Sequence, residues 1–518
     1  MIDTKALREK ILDLAIRGKL VPQDPNDEPA SVLLERIRAQ KQQMVKEGKL
    51  KAKDIKNDTI IFKGEDNLHY EQFQDGTVKC IEDEIPFDVP DGWEWTRLCS
   101  VSYDLPYGTS KKSSTNGKIA VLRMGNLQNG EIDYSDLVYS SDEEDIKKYY
   151  LIKGDLLFNR TNSIELVGKT SVYRGDIPAI YAGYLIRIRS SLNYEYLNAV
   201  MNSSYAREYC TSVRIDAVNQ SNINATKLGH FLIAIPSKSE QKRISKKIAE
   251  SIKVINIIEQ EKLDLQAITA NVKSKILDLA IRGKLVPQDP NDESASVLLE
   301  RIRAEKEELI KQGKIKRDKK ESVIFKGEDN SYYQDLPENW EITTLRKITT
   351  PLTLNDGDWI LSENMSPNGE VKLLQLGSIG NMVYIDKGFK YLSKQTFNEL
   401  SCTTIFPKYL LINRIISDKM CCCIIPNIEG TIITTVDTCW IAPCSHVYNL
   451  KFLMYQLASP VFQSMVLIKA TGTTRKRISK SNLIDLPLLF PPLVEQNRIV
   501  EAIETAFAQL DEIANSIA

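Results

Sequence analysis

Histidine is close to absent: three in 518 residues, at His69, His230 and His446, in no recurring context. General-base or metal chemistry built on repeated histidines is therefore not expected. No run of about 18 apolar residues occurs, so no membrane-spanning helix is expected. A phosphate-cradling G-x-x-x-x-G-K-S/T loop is missing, which argues against ATP-driven translocation by this chain. Equally missing are a D/N-P-P-Y/F loop for amino-group methylation, a glycine-rich cofactor loop after a strand, and a Pro-Asp…Glu-x-Lys nuclease constellation. Nor does one charge dominate: 68 Lys and Arg stand against 69 Asp and Glu, a net charge of −1. A nonspecific polycation is thereby excluded, and a polyanion binder of this balance must concentrate its basic groups locally or borrow charge from partners.

The nine cysteines show no disulfide spacing, and the opening MIDTKALREKILDLAIRGKL reads as amphipathic rather than as a signal peptide. Reduced thiols in a cytoplasmic protein are expected. Cys421, Cys422 and Cys423 are consecutive; on a strand they alternate in direction and cannot all face one metal, so a buried strand is the expectation. Hydrophobic content of 42% and charged content of 26% are ordinary for a globular chain, and the length suggests two to four domains.

What the chain does have is a repeat. KILDLAIRGKLVPQDPNDEPASVLLERIRA starts at Lys10 and KILDLAIRGKLVPQDPNDESASVLLERIRA at Lys275; of the aligned positions only Pro29 and Ser294 differ. Weaker echoes come after it in the same order. IFKGEDN recurs from Ile61 at Ile324, VPDGWEWTRL at Val89 matches LPENWEITTL at Leu336, and LLFNR at Leu156 matches LLINR at Leu410. NINATKLGHFLIAIPSKSEQKRI at Asn222 matches RISKSNLIDLPLLFPPLVEQNRI at Arg477. The chain is thus two copies of one unit, nearly invariant in one stretch and diverged in the other.

Between the copies, Ile244, Ile248, Ile252, Ile255, Ile258, Leu265, Ile268, Val272, Ile276 and Leu279 recur at helical spacing with one longer step. They predict an amphipathic helix from Glu240 to Arg282, about 60 Å long at about 1.5 Å per residue, and suggest one arm of a coiled coil. Gly283 and Pro287 are natural stops. The second copy of this helix is split between the two ends of the chain. Aligning Arg498 with Arg243, and Lys10 with Lys275, leaves only Asp264 and Leu265 without counterparts. The termini are therefore expected to meet, closing a ring with pseudo-twofold symmetry. Near-identity of the repeats suggests one surface offered to two copies of one partner; recent duplication would also produce it.

The diverged copies, 88–236 and 336–491, alternate short strand-like runs with turn signals and then a helical patch, YLNAVMNSSYAREYCTS and NLKFLMYQLASPVFQSMVL. An α+β arrangement on helical spacers is expected. Three clusters in them are polar in a way a core cannot use. YGTSKKSSTNGK offers Lys111 and Lys112 for phosphate contacts. NRTNSIELVGK offers Arg160, Asn162 and Ser163 beside a strand end, and NRIISDK offers Arg414 and Lys419 at the matching place; arginine and asparagine suit guanine and adenine edges. A structural salt bridge is the plain alternative for Arg160. RIDAVNQSNIN, with Arg214, Asn219 and Gln220, matches TGTTRKRISKSN, with Thr474, Arg475, Lys476 and Arg477, a phosphate-binding candidate that could also be a solvated charge run.

The P-x-x-W entries (PDGW, PENW), the KGDLLFNR segment, the IPSKSEQKRI and FPPLVEQNRI exits and the helix after each exit resemble the specificity (S) subunits of type I restriction–modification systems over nearly the whole chain. The resemblance implies an α+β fold with two pseudo-twofold-related target-recognition domains, separated by long antiparallel coiled-coil helices in a circular arrangement with the termini meeting. On that pattern 1–51 and 492–518 are the split helical region, 52–87 and 317–335 connectors, 88–236 and 336–491 the recognition domains, and 237–316 the central spacer. It implies a non-catalytic reader of a bipartite site on double-stranded DNA, docking two methyltransferase (M) subunits and the restriction (R) subunits. No cofactor is implied for this chain; S-adenosylmethionine, ATP and magnesium would belong to partner subunits. Two departures stand out: PKYLLINR lacks the Gly-Asp of KGDLLFNR, and PLTLNDGDWILSENMSPNG lacks the lysine-rich loop. The rival expectation is a non-catalytic, pseudo-symmetric protein-binding scaffold.

Overall fold

In the computed structural model, residues 2–217, 220–318, 336–473 and 475–517 are described. The fold is α+β, and the chain divides into two compact units, Ile2–Glu261 and Lys262–Ala518. The chain passes from one to the other within the helix Lys238–Ile281. Among the described residues no helix is long and apolar enough to cross a membrane.

Each unit repeats one plan. In the first, the diverged segment enters through the strand Glu94–Arg97 and leaves through Leu232–Ile235, and these two pair antiparallel. In the second, Glu341–Thr344 and Pro487–Phe490 form the same clasp. Inside the clasp, Leu156–Asn159 is the middle of a sheet flanked by Thr170–Val172 and Leu185–Ile188. A second sheet places Ile119–Leu122 parallel to Ala179–Tyr181 and antiparallel to Val138–Ser140. The second unit repeats both sheets and the parallel pair, here Val371–Leu374 with Ile432–Ile433, but its central sheet gains a fourth strand, Leu354–Asp356.

The helical frame packs on the clasp because its apolar residues fall on one face. Ala30–Lys46 buries Ala30, Leu33, Ile37 and Lys41; Ala295–Lys311 buries Ala295, Leu298 and Ile302 at the matching positions. Buried Lys41 pairs with Asp58 at 2.6 Å and donates to the Cys99 carbonyl at 2.8 Å.

One node joins the motifs that recur. The entry tryptophan Trp93 donates its indole Nε1–H to Glu240 at 3.0 Å, and Gln23 donates to the other oxygen of that carboxylate at 2.7 Å. In the second unit Trp340 and Gln288 do the same to Glu495, again at 3.0 and 2.7 Å. The next residue, Gln241 or Gln496, accepts from the backbone N–H of Asn193 or Asn449 and donates to the carbonyl of Pro236 or Pro491. Arg243 pairs with Asp27 at 2.7 Å and Arg498 with Asp292 at 2.6 Å. Gly18 and Gly283, both at φ +65°, end the preceding helices against Pro90 and Pro337; a Cβ there would stand 2.4 Å from the proline Cγ.

Some expectations change. Residues 52–87, expected as a connector, carry a three-stranded sheet of Ile60–Lys63, His69–Gln72 and Val78–Cys80, tied on by a buried pairing of Arg97 with Glu71 at 2.7 Å. Most of 317–335 lies outside the described residues. Each expected helical patch is two helices, broken where Ser203 and Ser459 cap the second. Along Lys238–Ile281 the apolar seam shifts: Ile268 and Val272 are exposed, while Thr269 takes the covered position and Lys273 reaches Asp511. Cys422 and Cys423 lie in the strand Cys422–Ile424 and point into different apolar clusters, as alternation requires. Burial pushes the Cys423 thiol up to about 12.

Replacing Glu240 by Ala strands two donors beneath the clasp and is expected to cost about 2–4 kcal/mol in urea unfolding; Glu240→Gln, which still offers an acceptor, should cost far less. Burial also raises the Glu240 and Glu495 carboxyls above their ordinary value of 4.5. The folded state then binds those protons more tightly, so this contribution is complete below pH 4.5 and fades as pH rises through the raised values. The melting temperature of Glu240→Gln relative to the unaltered chain should therefore climb from pH 4.5 to 7; a flat or falling difference contradicts it.

Candidate nucleic-acid interface

Three features meet at one end of each diverged segment: a clamped turn, an arginine after the central strand, and a return hairpin. In the first segment Thr109 N–H donates to the Tyr181 carbonyl at 2.9 Å, and Gly183 N–H donates back to the Thr109 carbonyl at 2.7 Å. In the second, Asp358 and Val436 exchange the equivalent bonds with Thr434 and Asp358, each at 2.8 Å. Glycine precedes the clamped residue both times, because a Cβ on Gly108 or Gly357 would sit 2.1 or 2.4 Å from a backbone oxygen. Directly after the clamped residue come Ser110, Lys111 and Lys112 in the first segment and Trp359, Ile360 and Leu361 in the second.

The central strand of each sheet ends in Asn-Arg. Arg160 stacks on the Tyr107 ring at 4.5 Å and donates to Asn222 at 3.2 Å. The salt bridge considered for it is replaced by a cation–π contact and an amide, leaving it half-buried beside the short strand Thr161–Asn162. Arg414 behaves otherwise. It is 4% exposed, pairs with Asp356 at 3.4 Å and donates to the Val436 carbonyl. As a base-contacting residue Arg414 is therefore corrected: an aspartate where the first segment has Tyr107 draws the guanidinium inward, where it supports the loop beneath Trp359.

The return hairpin brings the third group. Thr161–Asn162 pairs with Gln220–Asn222, and Ile415–Ile416 pairs with Lys476–Arg477. Arg475 and Lys476 are exposed; Arg477 pairs with Asp437 at 3.0 Å. Arg214 is held by Asp216 at 3.0 Å. Asn219 and Thr474 lie outside the described residues, and of Gln220 only the backbone is described.

Of the remaining candidates, Lys111 is ion-paired with Asp142 at 2.6 Å, which raises the lysine above its ordinary value and lowers the aspartate. Lys112 and Lys419 are exposed. Asn162 accepts from the Ser163 N–H at 2.8 Å. The structure thus brings Arg160, Asn162 and Ser163 to the return hairpin of the first segment, and Arg475–Arg477 to the loop of the second. Sequence reasoning missed Tyr107, Asn222 and Trp359. The offset from the turn glycine, Gly108-Thr-Ser against Gly357-Asp-Trp, is the signal that finds the last of these.

Residues 100–267 match the family model of the type I restriction modification DNA specificity domain. The chain is 25% identical to the type I restriction enzyme EcoEI specificity subunit of Escherichia coli over 99% of its own length and 90% of the relative's. It is 31% identical to the EcoAI specificity subunit of the same organism, over 66% of this chain and 62% of that one. A chain in a solved structure of a type I R-M system, described for its complex assembly and conformational transition, superposes with a TM-score of 0.50. That chain is 15% identical, the match covering 83% of this chain and 94% of the other, and it supports the fold alone. These matches make the chain similar to type I restriction–modification specificity subunits. Both relatives carry the name of specificity subunits.

Arg414→Ala should destabilise the second unit by about 2–3 kcal/mol in thermal or urea melts, because it removes a buried guanidinium that bonds the Val436 carbonyl and pairs with Asp356. Arg475→Ala, on the exposed hairpin, should change stability by less than about 0.5 kcal/mol. Equal effects would contradict the division between support and exposed contact.

Proposed function

We propose that the chain reads a bipartite double-stranded DNA site, one half-site by residues 88–236 and the other by residues 336–491. The reading rests on one observation: two diverged segments hang from near-identical frames, and each brings basic side chains to the return hairpin beside its clamped turn, Arg214 in one and Arg475, Lys476 and Arg477 in the other. Phosphate contacts would come from Lys111, Lys112, Lys419, Arg475, Lys476 and Arg477, and base-edge contacts from Arg160, Asn162, Ser163, Arg214, Asn219, Gln220 and Thr474. Arg414 acts behind them as a support.

The frame serves as spacer and dock. Residues 1–51 with 492–518, and 237–316, form two antiparallel coiled-coil arms in a closed pseudo-twofold arrangement with the termini meeting, and 52–87 and 317–335 join them to the heads. Support comes from the repeat alignment, in which only Asp264 and Leu265 lack counterparts. Two methyltransferase subunits dock on the repeated surfaces and restriction subunits join them, in the cytoplasm and away from membranes. Methylation targets are flipped into the partner's pocket, where S-adenosylmethionine is bound, and ATP and magnesium likewise belong to partners. With a net charge of −1, the chain alone should bind DNA weakly and the assembled complex tightly.

Adenine-methylation mapping of genomic DNA with the gene present and deleted tests this reading. Loss of one motif, two specified blocks around a fixed unspecified gap, is the expected result; an unchanged methylome with partner subunits expressed overturns it. In the complex, Lys112→Ala and Lys476→Ala should each lower the slope of log affinity against log salt by about one. Unchanged slopes would remove those two residues from the phosphate contacts.

A further inference from the structure

Trp359 is 69% exposed, the most exposed of the large aromatic side chains among the described residues. A single exposed aromatic needs no explanation by itself; its setting does. Its backbone continues from Asp358, whose N–H and C=O are both bonded to the 434–436 loop and whose carboxylate accepts from the Thr403 N–H at 2.8 Å. Buried Arg414 holds that loop from below through the Val436 carbonyl. The indole lines a cleft of about 620 Å³ together with Met365, Gln375, Lys390, Arg475 and Arg477. Arg477 is matched by Asp437, whereas Arg475 and Lys390 are exposed with no ion pair among the described residues. Trp359 also occupies the place that in the first segment is Ser110, the head of the lysine-rich loop.

We infer that this cleft is a stacking contact of the second head with DNA: the Trp359 ring lies against the face of a partly unstacked nucleobase, while Arg475 and Lys390 hold the adjoining phosphates. The inference rests on the DNA-reading function proposed above and deepens it. A flat apolar ring rimmed by unpaired cations complements a base and its phosphates; a purely apolar protein surface would leave those cations without partners. The two heads then differ in kind. The first meets the backbone at this position with lysines, and the second meets a base with an aromatic ring, which explains how a segment without the lysine loop still grips DNA.

The test uses the complete complex with its methyltransferase subunits and a duplex carrying the motif found by methylation mapping. Trp359→Ala should weaken binding by roughly ten-fold, the scale of one lost base–aromatic stack, and leave the salt slope unchanged. Trp359→Phe should retain most of the affinity. Arg475→Ala should instead lower the salt slope by about one. 5-Iododeoxyuridine placed through the second half-site should photo-crosslink to residue 359 at one position and at none in the first half-site. Unchanged affinity in Trp359→Ala, or loss of subunit assembly with DNA affinity per assembled complex intact, overturns the inference while leaving the reader function standing. Failure of the unaltered complex to prefer the motif over a scrambled duplex removes the reader function, and the inference with it.

Discussion

A buried carboxylate that accepts from an indole on one side and a carboxamide on the other ties each diverged segment to its helices. Glu240 and Glu495 are 3% and 1% exposed, so an unmatched charge there would be costly, and each is met by Trp and Gln donors drawn from distant parts of the chain. The neighbouring Gln241 and Gln496 bind the backbone at the start of the helical patch and at the exit proline, and the Arg two residues on reaches the Pro-Asn-Asp loop. Removing any one of these groups leaves a buried donor or acceptor without its partner. The node therefore constrains the entry, the exit and the frame together, and leaves the far end of each segment unconstrained.

That division accounts for the pattern of divergence within the molecule. The near-identical stretches supply the Gly that ends a helix against the entry proline, the Gln of the node and the Asp that holds the exit arginine. The clasp strands need only backbone pairing and apolar inner faces, so their sequences drift while their register holds. Beyond the clasp the clamped turn needs a glycine and little else, and the positions after it are free to carry lysine in one copy and tryptophan in the other.

Much of the frame was legible because repetition marks it: the thirty-residue copies, the two P-x-x-W entries and the two Glu-Gln exits can be aligned by eye. Their meeting was not legible, since Trp93 and Glu240 are 147 positions apart and nothing local links an indole to a particular carboxylate. In the candidate site, Lys112 and Arg475 are exposed, as charged side chains on loops are expected to be. Arg160 and Arg414 occupy matching places and look alike in sequence; a single neighbour, Tyr107 or Asp356, decides whether the guanidinium stacks at the surface or turns inside. Trp359 was not legible from charge, because an exposed aromatic carries none. The sheet in 52–87 escaped because its strands are only three or four residues long.

If the frame is common and the heads are interchangeable, recognition should travel with the head alone. The direct measurement is the methylome of a strain whose chain carries a second copy of residues 88–236 in place of 336–491, assembled with its methyltransferase subunits. A frame-and-head organisation predicts that the first block of the motif persists and that its inverted copy replaces the second block across an unspecified gap. Continued methylation of the original two-block motif by that chimera would contradict it.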